Sequence, residues 1–201
     1  MIAWLFPDRC ALCGLIGNPA VCEQCALDME PAGPAKADRE PLSFQAGVFI
    51  YEGRASQAVR RLKYSRSTAL ASFMAEALAP RIAELAESED LVVPVPIHWR
   101  RRSERGFNQA DLLCAGPHGR TVEGRALRRV RLTPPQASLP VAARGQNLVG
   151  AFSAEVNLVR GRRILLVDDV LTTGHTARAC AQGLVEAGAL EVGILAFAIV
   201  P

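Results

Sequence analysis

Lysine is nearly missing from this chain: two residues in 201, against 21 arginines. Aromatic side chains make up only 5%, which argues against a protein that grips single strands mainly by stacking bases on rings. No segment approaches the roughly 20 apolar residues needed to span a bilayer, so no membrane insertion is expected. The 16 glycines and 13 prolines follow no period, and no internal repeat is visible, which excludes collagen-like and solenoid architectures. The apolar start at residues 1–6 has no basic leader and meets Asp8 and Arg9 at once. No secretory signal is expected, and the expected compartment is the cytoplasm.

The chain does have apolar residues for one core of ordinary size: half of it is hydrophobic and the net charge is only +3. Disorder is thereby excluded for the chain as a whole. Charge is unevenly spread. Between His98 and Arg144 stand ten arginines and three acids, Glu104, Asp111 and Glu123, a local excess of +7. Such a stretch suits a phosphate, a diphosphate or a polyanion. A solvated arginine-rich surface is the plainer reading, and charge alone does not separate the two.

Four of the six cysteines fall in Cys10-x2-Cys13-x8-Cys22-x2-Cys25. Two such knuckles bring four soft thiolates to a tetrahedral site, the arrangement of structural Zn²⁺. Two disulfides suit a cytoplasmic chain poorly, and a redox Cys-x-x-Cys would follow a strand that is not evident here. Cys114 and Cys180 lie on apolar helix faces and are expected to be buried.

Residues 1–30 read as this knuckle, 31–43 as a linker rich in proline and charge, and 44–201 as the main domain. Strands are expected at 45–51, 91–95, 126–133, 164–167 and 192–200. Helices are expected at 55–64, 68–85 (with a kink or break at Pro80), from 109 to Cys114, and 173–187, and residues 133–146 as a loop with a short helix. Strand–helix alternation predicts an α/β fold with a parallel sheet flanked by helices.

The densest information lies at residues 164–176, ILLVDDVLTTGHT. A buried strand is expected to deliver Asp168 and Asp169 to its C-terminal end, where open α/β sheets bind ligands. A Thr/Gly loop then opens a helix, whose N-terminus attracts anions. Thr172, Thr173 and Thr176 add hydroxyls, and Gly174 lets a phosphate approach the backbone. The acids suit sugar hydroxyls, with or without Mg²⁺. An ordinary helix cap needs neither two acids nor three threonines. His175 has nothing in the sequence to orient it as a base and is expected to be exposed or packed on the loop.

These thirteen residues resemble the phosphoribosyl-diphosphate (PRPP) signature of type I phosphoribosyltransferases. Further motifs resemble the competence protein F (ComF) family: the cysteine knuckle, Lys63-Tyr64, Val93 to Pro96, Arg105 to Gln109, Thr133 to Gln136, Arg144 to Asn147, and Gly150 to Phe152. The resemblance covers nearly the whole chain. It implies the type I phosphoribosyltransferase fold, with Asp168 and Asp169 on the ribose hydroxyls and Thr172, Thr173, Gly174, His175 and Thr176 around the 5′-phosphate. It further implies Arg100, Arg101 or Arg105 as guanidinium clamps on the diphosphate, and a loop near 133–144 that closes over PRPP and brings Arg144 to the leaving group.

The implied activity is Mg²⁺-dependent phosphoribosyl transfer to an acceptor that residues 1–65 would select but do not name. The family is associated with DNA uptake in competent bacteria, which opens a second expectation. In it the chain is a non-catalytic factor binding single-stranded DNA, and its knuckle docks a helicase-type competence protein. The sequence does not set the oligomeric state.

Overall fold

The computed structural model describes residues 8–17, 20–38, 40–65, 68–131 and 148–201. Eight strands occur among them: β1 (Lys36–Ala37), β2 (Phe44–Ile50), β3 (Leu91–Pro94), β4 (Thr121–Val122), β5 (Leu127–Arg129), β6 (Phe152–Ala154), β7 (Arg163–Leu171) and β8 (Glu191–Ile199). Six of these form one sheet in the order β1-β2-β8-β7-β3-β4. It is parallel throughout except for β1, which runs antiparallel to β2. β5 and β6 form a separate antiparallel pair. The helices are α1 (Glu23–Leu27), α2 (Gly53–Ser65), α3 (Thr68–Leu85), α4 (Trp99–Arg105), α5 (Gln109–Leu113), α6 (Val156–Val159) and α7 (His175–Glu186).

The central strands are apolar on both faces, as expected where helices cover a parallel sheet from both sides. Leu165, Val167, Leu195 and Phe197 face a core built with α2, α3 and α5. Ile164, Leu166, Ile194 and Ala196 face a second core built with α7 and the β5–β6 pair. Alternation along β7 therefore feeds two cores from one strand.

Several expectations change at this level. The stretch 31–43, read as a linker, is woven into the sheet's edge. It supplies β1, Ala32 N–H donates to Val48 O at 2.9 Å, and Leu42 is buried. Its prolines and charges reflect an edge position, where missing N–H donors are tolerated. The cysteine knuckle is not held apart either: Cys10, Cys22 and Cys25 share the α2–α3 core, and Arg61 of α2 donates to Ala11 O. α3 runs through Pro80 as one helix. One lost main-chain bond is tolerated there because Met74, Leu78 and Ile82 are buried on both sides of it. The arginine run, not foreseen as helical, forms α4, with the His98 ring accepting from Arg100 N–H at 3.2 Å and Gly106 ending it at φ 85°. On α7, Ala177, Cys180, Ala181 and Leu184 are buried as expected, whereas Val185 is exposed. The expected loop at 133–146, with Thr133, Gln136 and Arg144, lies outside the described residues.

Candidate phosphate and pentose site

β7 was expected to stop at Val167 and present the acids beyond its end. Instead it continues through them: Asp168 pairs with Ala196, and Val170 and Leu171 pair with Ala198 and Ile199 of β8. On the other flank β3 ends at Pro94, opposite Val167, with one further bond from Val95 N–H to Val167 O at 2.9 Å. Pro94 and Pro96 have no N–H to extend the ladder. The acids thus sit in a step, paired on one side and free of a neighbouring strand on the other. The pattern ILLV gave no sign of this, because strand length depends on what pairs alongside.

Adjacent side chains on a strand turn to opposite faces. Asp169 is the one on the α2 side, buried, with Lys63 Nζ of α2 at 3.2 Å. Asp168 folds back so that its Oδ1 accepts the Asp169 N–H at 2.8 Å. Burial, then the Asp169 charge, push the Asp168 carboxyl up to about 7 against the opposing pull of that N–H and of Lys63. One acid is therefore paired with a cation, while the other holds its proton to a higher pH than an ordinary carboxyl.

The loop that follows is open. Thr172 and Thr173 are exposed, and Gly174 caps α7 at φ 71°. That is the left-handed region, which side chains other than glycine rarely adopt. A Cβ on Gly174 would also lie 2.7 Å from Arg178 Nη1. His175 is half-buried, and its Nδ1 lies 2.6 Å from Thr173 Oγ1. The ring does have an orienting partner, which the sequence alone did not supply.

Two contributors were not assigned from the sequence. Lys63 was noted within a motif but given no role. Arg178, one helical turn after Gly174, donates from Nη1 to Thr173 O at 3.1 Å and from Nη2 to both Asp38 oxygens at 3.0 and 2.8 Å. Asp38 also accepts from Gln45 of β2. The loop is thereby tied to the sheet edge through a fork geometry only arginine offers. The spacing of four from Gly174 is the one sequence signal that pointed to Arg178.

Arg100, Arg101 and Arg105 all lie on α4, which begins just past β3, one strand from the acids. Arg100 stacks over the Trp99 ring, with its guanidinium carbon 5.6 Å from the ring centroid. Burial, then Arg129, Arg100 and Arg101, hold the His98 imidazole below its ordinary pKa.

The sulfurs of Cys10, Cys13, Cys22 and Cys25 all lie within 4.8 Å of one another, and Cys13 and Cys22 are 3.6 Å apart. A tetrahedral Zn²⁺ with Zn–S near 2.3 Å requires S···S separations of about 3.8 Å, so the donor set fits. The N–H groups of Leu12 and Cys22 point at Cys10 Sγ at 3.4 and 3.3 Å. Burial raises the Cys10 thiol, but main-chain donors outweigh it and bring it down to about 6, while burial and the neighbouring sulfurs push Cys25 up to about 12. The four cysteines can hold a metal ion.

A family model described as the phosphoribosyl transferase domain matches residues 131–199, the segment that carries the acids and the loop. The DNA utilization protein YhgH of Escherichia coli O6:H1 is 34% identical over 200 residues, covering 92% of this chain and 87% of its own length. The chain belongs to the competence protein F family. Competence protein F of Haemophilus influenzae is 35% identical over 77% of this chain and 66% of its own, and competence protein ComFC of Bacillus subtilis is 25% identical over 88% and 72%. The fold is that of type I phosphoribosyltransferases, a mostly parallel sheet between helices. Among the described residues, no helix of this ComF-family chain is long and apolar enough to cross a membrane.

Proposed function

We propose that this protein binds PRPP, or a closely related phosphoribosyl ligand, at the ends of β7 and β3. The exposed Thr172 and Thr173, which follow the acids after two residues and lead through Gly174 into a twelve-residue helix, are the observation that carries this reading. Thr172 to Thr176 surround the 5′-phosphate, where free N–H groups and the helix dipole favour an anion. Asp168 and Asp169 take the ribose hydroxyls. The diphosphate is assigned to Arg100, Arg101 and Arg105, which lie on α4, and to Arg144, as the family resemblance implies.

Mg²⁺ fits this site as a passenger of the ligand. Among the described residues the cysteines are the only group of three or more metal-ligating side chains gathered closely enough to hold an ion, and Mg²⁺ characteristically relies on substrate phosphates plus few protein oxygens. It would neutralise diphosphate charge. The protein's own contribution is to orient the pentose and exclude water. In transfer, the C1–O bond breaks with its electron pair leaving on diphosphate, and an acceptor nucleophile bonds to C1 and loses a proton. No side chain is needed as nucleophile.

The four thiolates hold one structural Zn²⁺, and the reducing cytoplasm is the compartment that suits them. The relatives' names, DNA utilization and competence, support a role for this chain in DNA uptake, with single-stranded DNA or a helicase-type protein as partner.

Calorimetry with PRPP and Mg²⁺ tests the binding site. Asp169→Asn is expected to weaken binding at least tenfold; equal affinities would remove the acids from the site. Incubation with PRPP and a panel of bases and amines, reading released diphosphate, separates turnover from binding alone.

A further inference from the structure

Past the end of β3, on the side away from β7, lies a cleft of about 330 Å³, within the range of small-ligand sites. Trp99, Arg102, Asn108, Asp111, Arg125 and Arg128 contribute to its lining. Trp99 is 65% exposed, an unusual setting for so large an apolar ring in a chain with two tryptophans. Arg128 and Arg125 are also exposed. The single carboxylate among these six is already engaged: Asp111 accepts from Asn108 Nδ2 at 2.9 Å and faces Arg102 at 3.4 Å. Asp111 offsets Arg102, and Glu123 offsets Arg125 at 3.2 Å, so the net positive charge of the lining comes from Arg128 and Arg129.

Asn108 gives the cleft its chemistry. Its side chain is almost wholly buried, and its Nδ2 donates to Val95 O at 3.2 Å as well as to Asp111. Both partners are acceptors, so the amide cannot be turned over. Its Oδ1 is fixed as an acceptor and has no donor. A buried acceptor without a donor costs free energy, and a ligand that brings an N–H there recovers it.

We infer that this cleft binds a nucleotide unit, the base lying on Trp99 and offering an N–H edge to Asn108 Oδ1, the phosphate meeting Arg128. A planar ring, a hydrogen-bond donor on its edge and an anionic group are the three features the lining complements at once. Stacking on a ring is tolerant of base identity, and guanidinium suits phosphate. The cleft shares α4 with the arginines assigned to the PRPP diphosphate, but none of those arginines and no residue of the Thr172–Thr176 loop lines it.

The test uses the full zinc-loaded chain with Trp4→Phe, so that Trp99 alone reports. It is titrated with dCMP and with a short oligodeoxycytidine, and separately with inorganic diphosphate and PRPP. Saturable quenching by the cytosine ligands is expected, with affinity falling about tenfold in Arg128→Ala. In Trp99→Ala, calorimetry is expected to show a similar loss, restored by Trp99→Phe. Binding of dCMP comparable to that of the oligomer identifies a free-nucleotide site, and binding of the oligomer alone identifies a strand; either supports the inference. Asn108→Leu is expected to erase the preference for a base-bearing ligand over ribose 5-phosphate. The inference is overturned if no quenching occurs, if diphosphate competes as well as the nucleotides, or if Trp99→Ala binds undiminished. PRPP affinity in the Arg128→Ala variant should stay at its starting value, so failure here leaves the pentose site standing.

Discussion

Lys63 of α2 and Asp169 of β7 meet at 3.2 Å, across 106 residues of chain, with the lysine side chain 25% and the aspartate 7% exposed. The contact joins the α2 face of the sheet to the acid pair, and it sets how much negative charge the site can present. Removing the cation alone takes an ion-pair partner away from a buried carboxylate. Lys63→Ala is expected to cost about 3 kcal/mol in urea unfolding, and Lys63→Ala/Asp169→Asn to recover most of it. Two additive losses would show that the pair is not coupled.

Asp168 makes a pH-dependent contribution of opposite sense. Its folded pKa, about 7, lies above the ordinary carboxyl value. The fold therefore prefers the protonated acid. This favourable term is fully present below the unfolded pKa, near 4, and is lost as pH rises toward 7. Asp168→Asn should raise Tm relative to the parent, by an amount that grows between pH 4 and 7 and levels off above. A difference independent of pH would contradict burial of this charge.

Gly174 stands where the backbone is left-handed and an added Cβ would push the Arg178 guanidinium aside. Gly174→Ala is expected to lower stability by about 1–2 kcal/mol and to weaken PRPP binding at least tenfold, because Arg178 must release Thr173 O or Asp38. Unfolding midpoints and calorimetry read the two effects separately. An alanine variant with parental affinity would free the turn from the phosphate.

The knuckle shares a core with α2 and α3, so metal loss should be felt by the whole molecule. Elemental analysis of reduced protein is expected to give about one zinc per chain. A strong chelator should lower Tm in a single cooperative transition, and Cys25→Ser should behave as the chelated protein does. Absence of zinc from freshly purified protein would remove the metal from this account.

Much of the candidate site was legible in the sequence. Asp168, Asp169 and the turn from Thr172 to Thr176 are contiguous, so one strand and one helix start deliver them, and local pattern suffices. The cysteines were legible for the same reason, through two short spacings. What could not be read were groups brought in from a distance. Lys63 and Asp38 lie far from residue 169 in the chain; the Lys63-Tyr64 motif was visible but said nothing of its partner, and nothing in the neighbourhood of Asp38 marks it. Asn108 is another such case. Its free acceptor exists only because Val95 O and Asp111 occupy both of its N–H groups.

Sequence by itself determined the two-sided apolar strands, the acid–threonine–glycine order and the four-thiol spacing, because periodicity and spacing act within a few residues. Tertiary structure alone decided that β7 runs on past its acids while β3 stops, that residues 31–43 are sheet edge, and that Lys63 neutralises Asp169. Strand length, edge position and the pairing of buried charge depend on which neighbour packs alongside, and that neighbour is chosen by the fold as a whole.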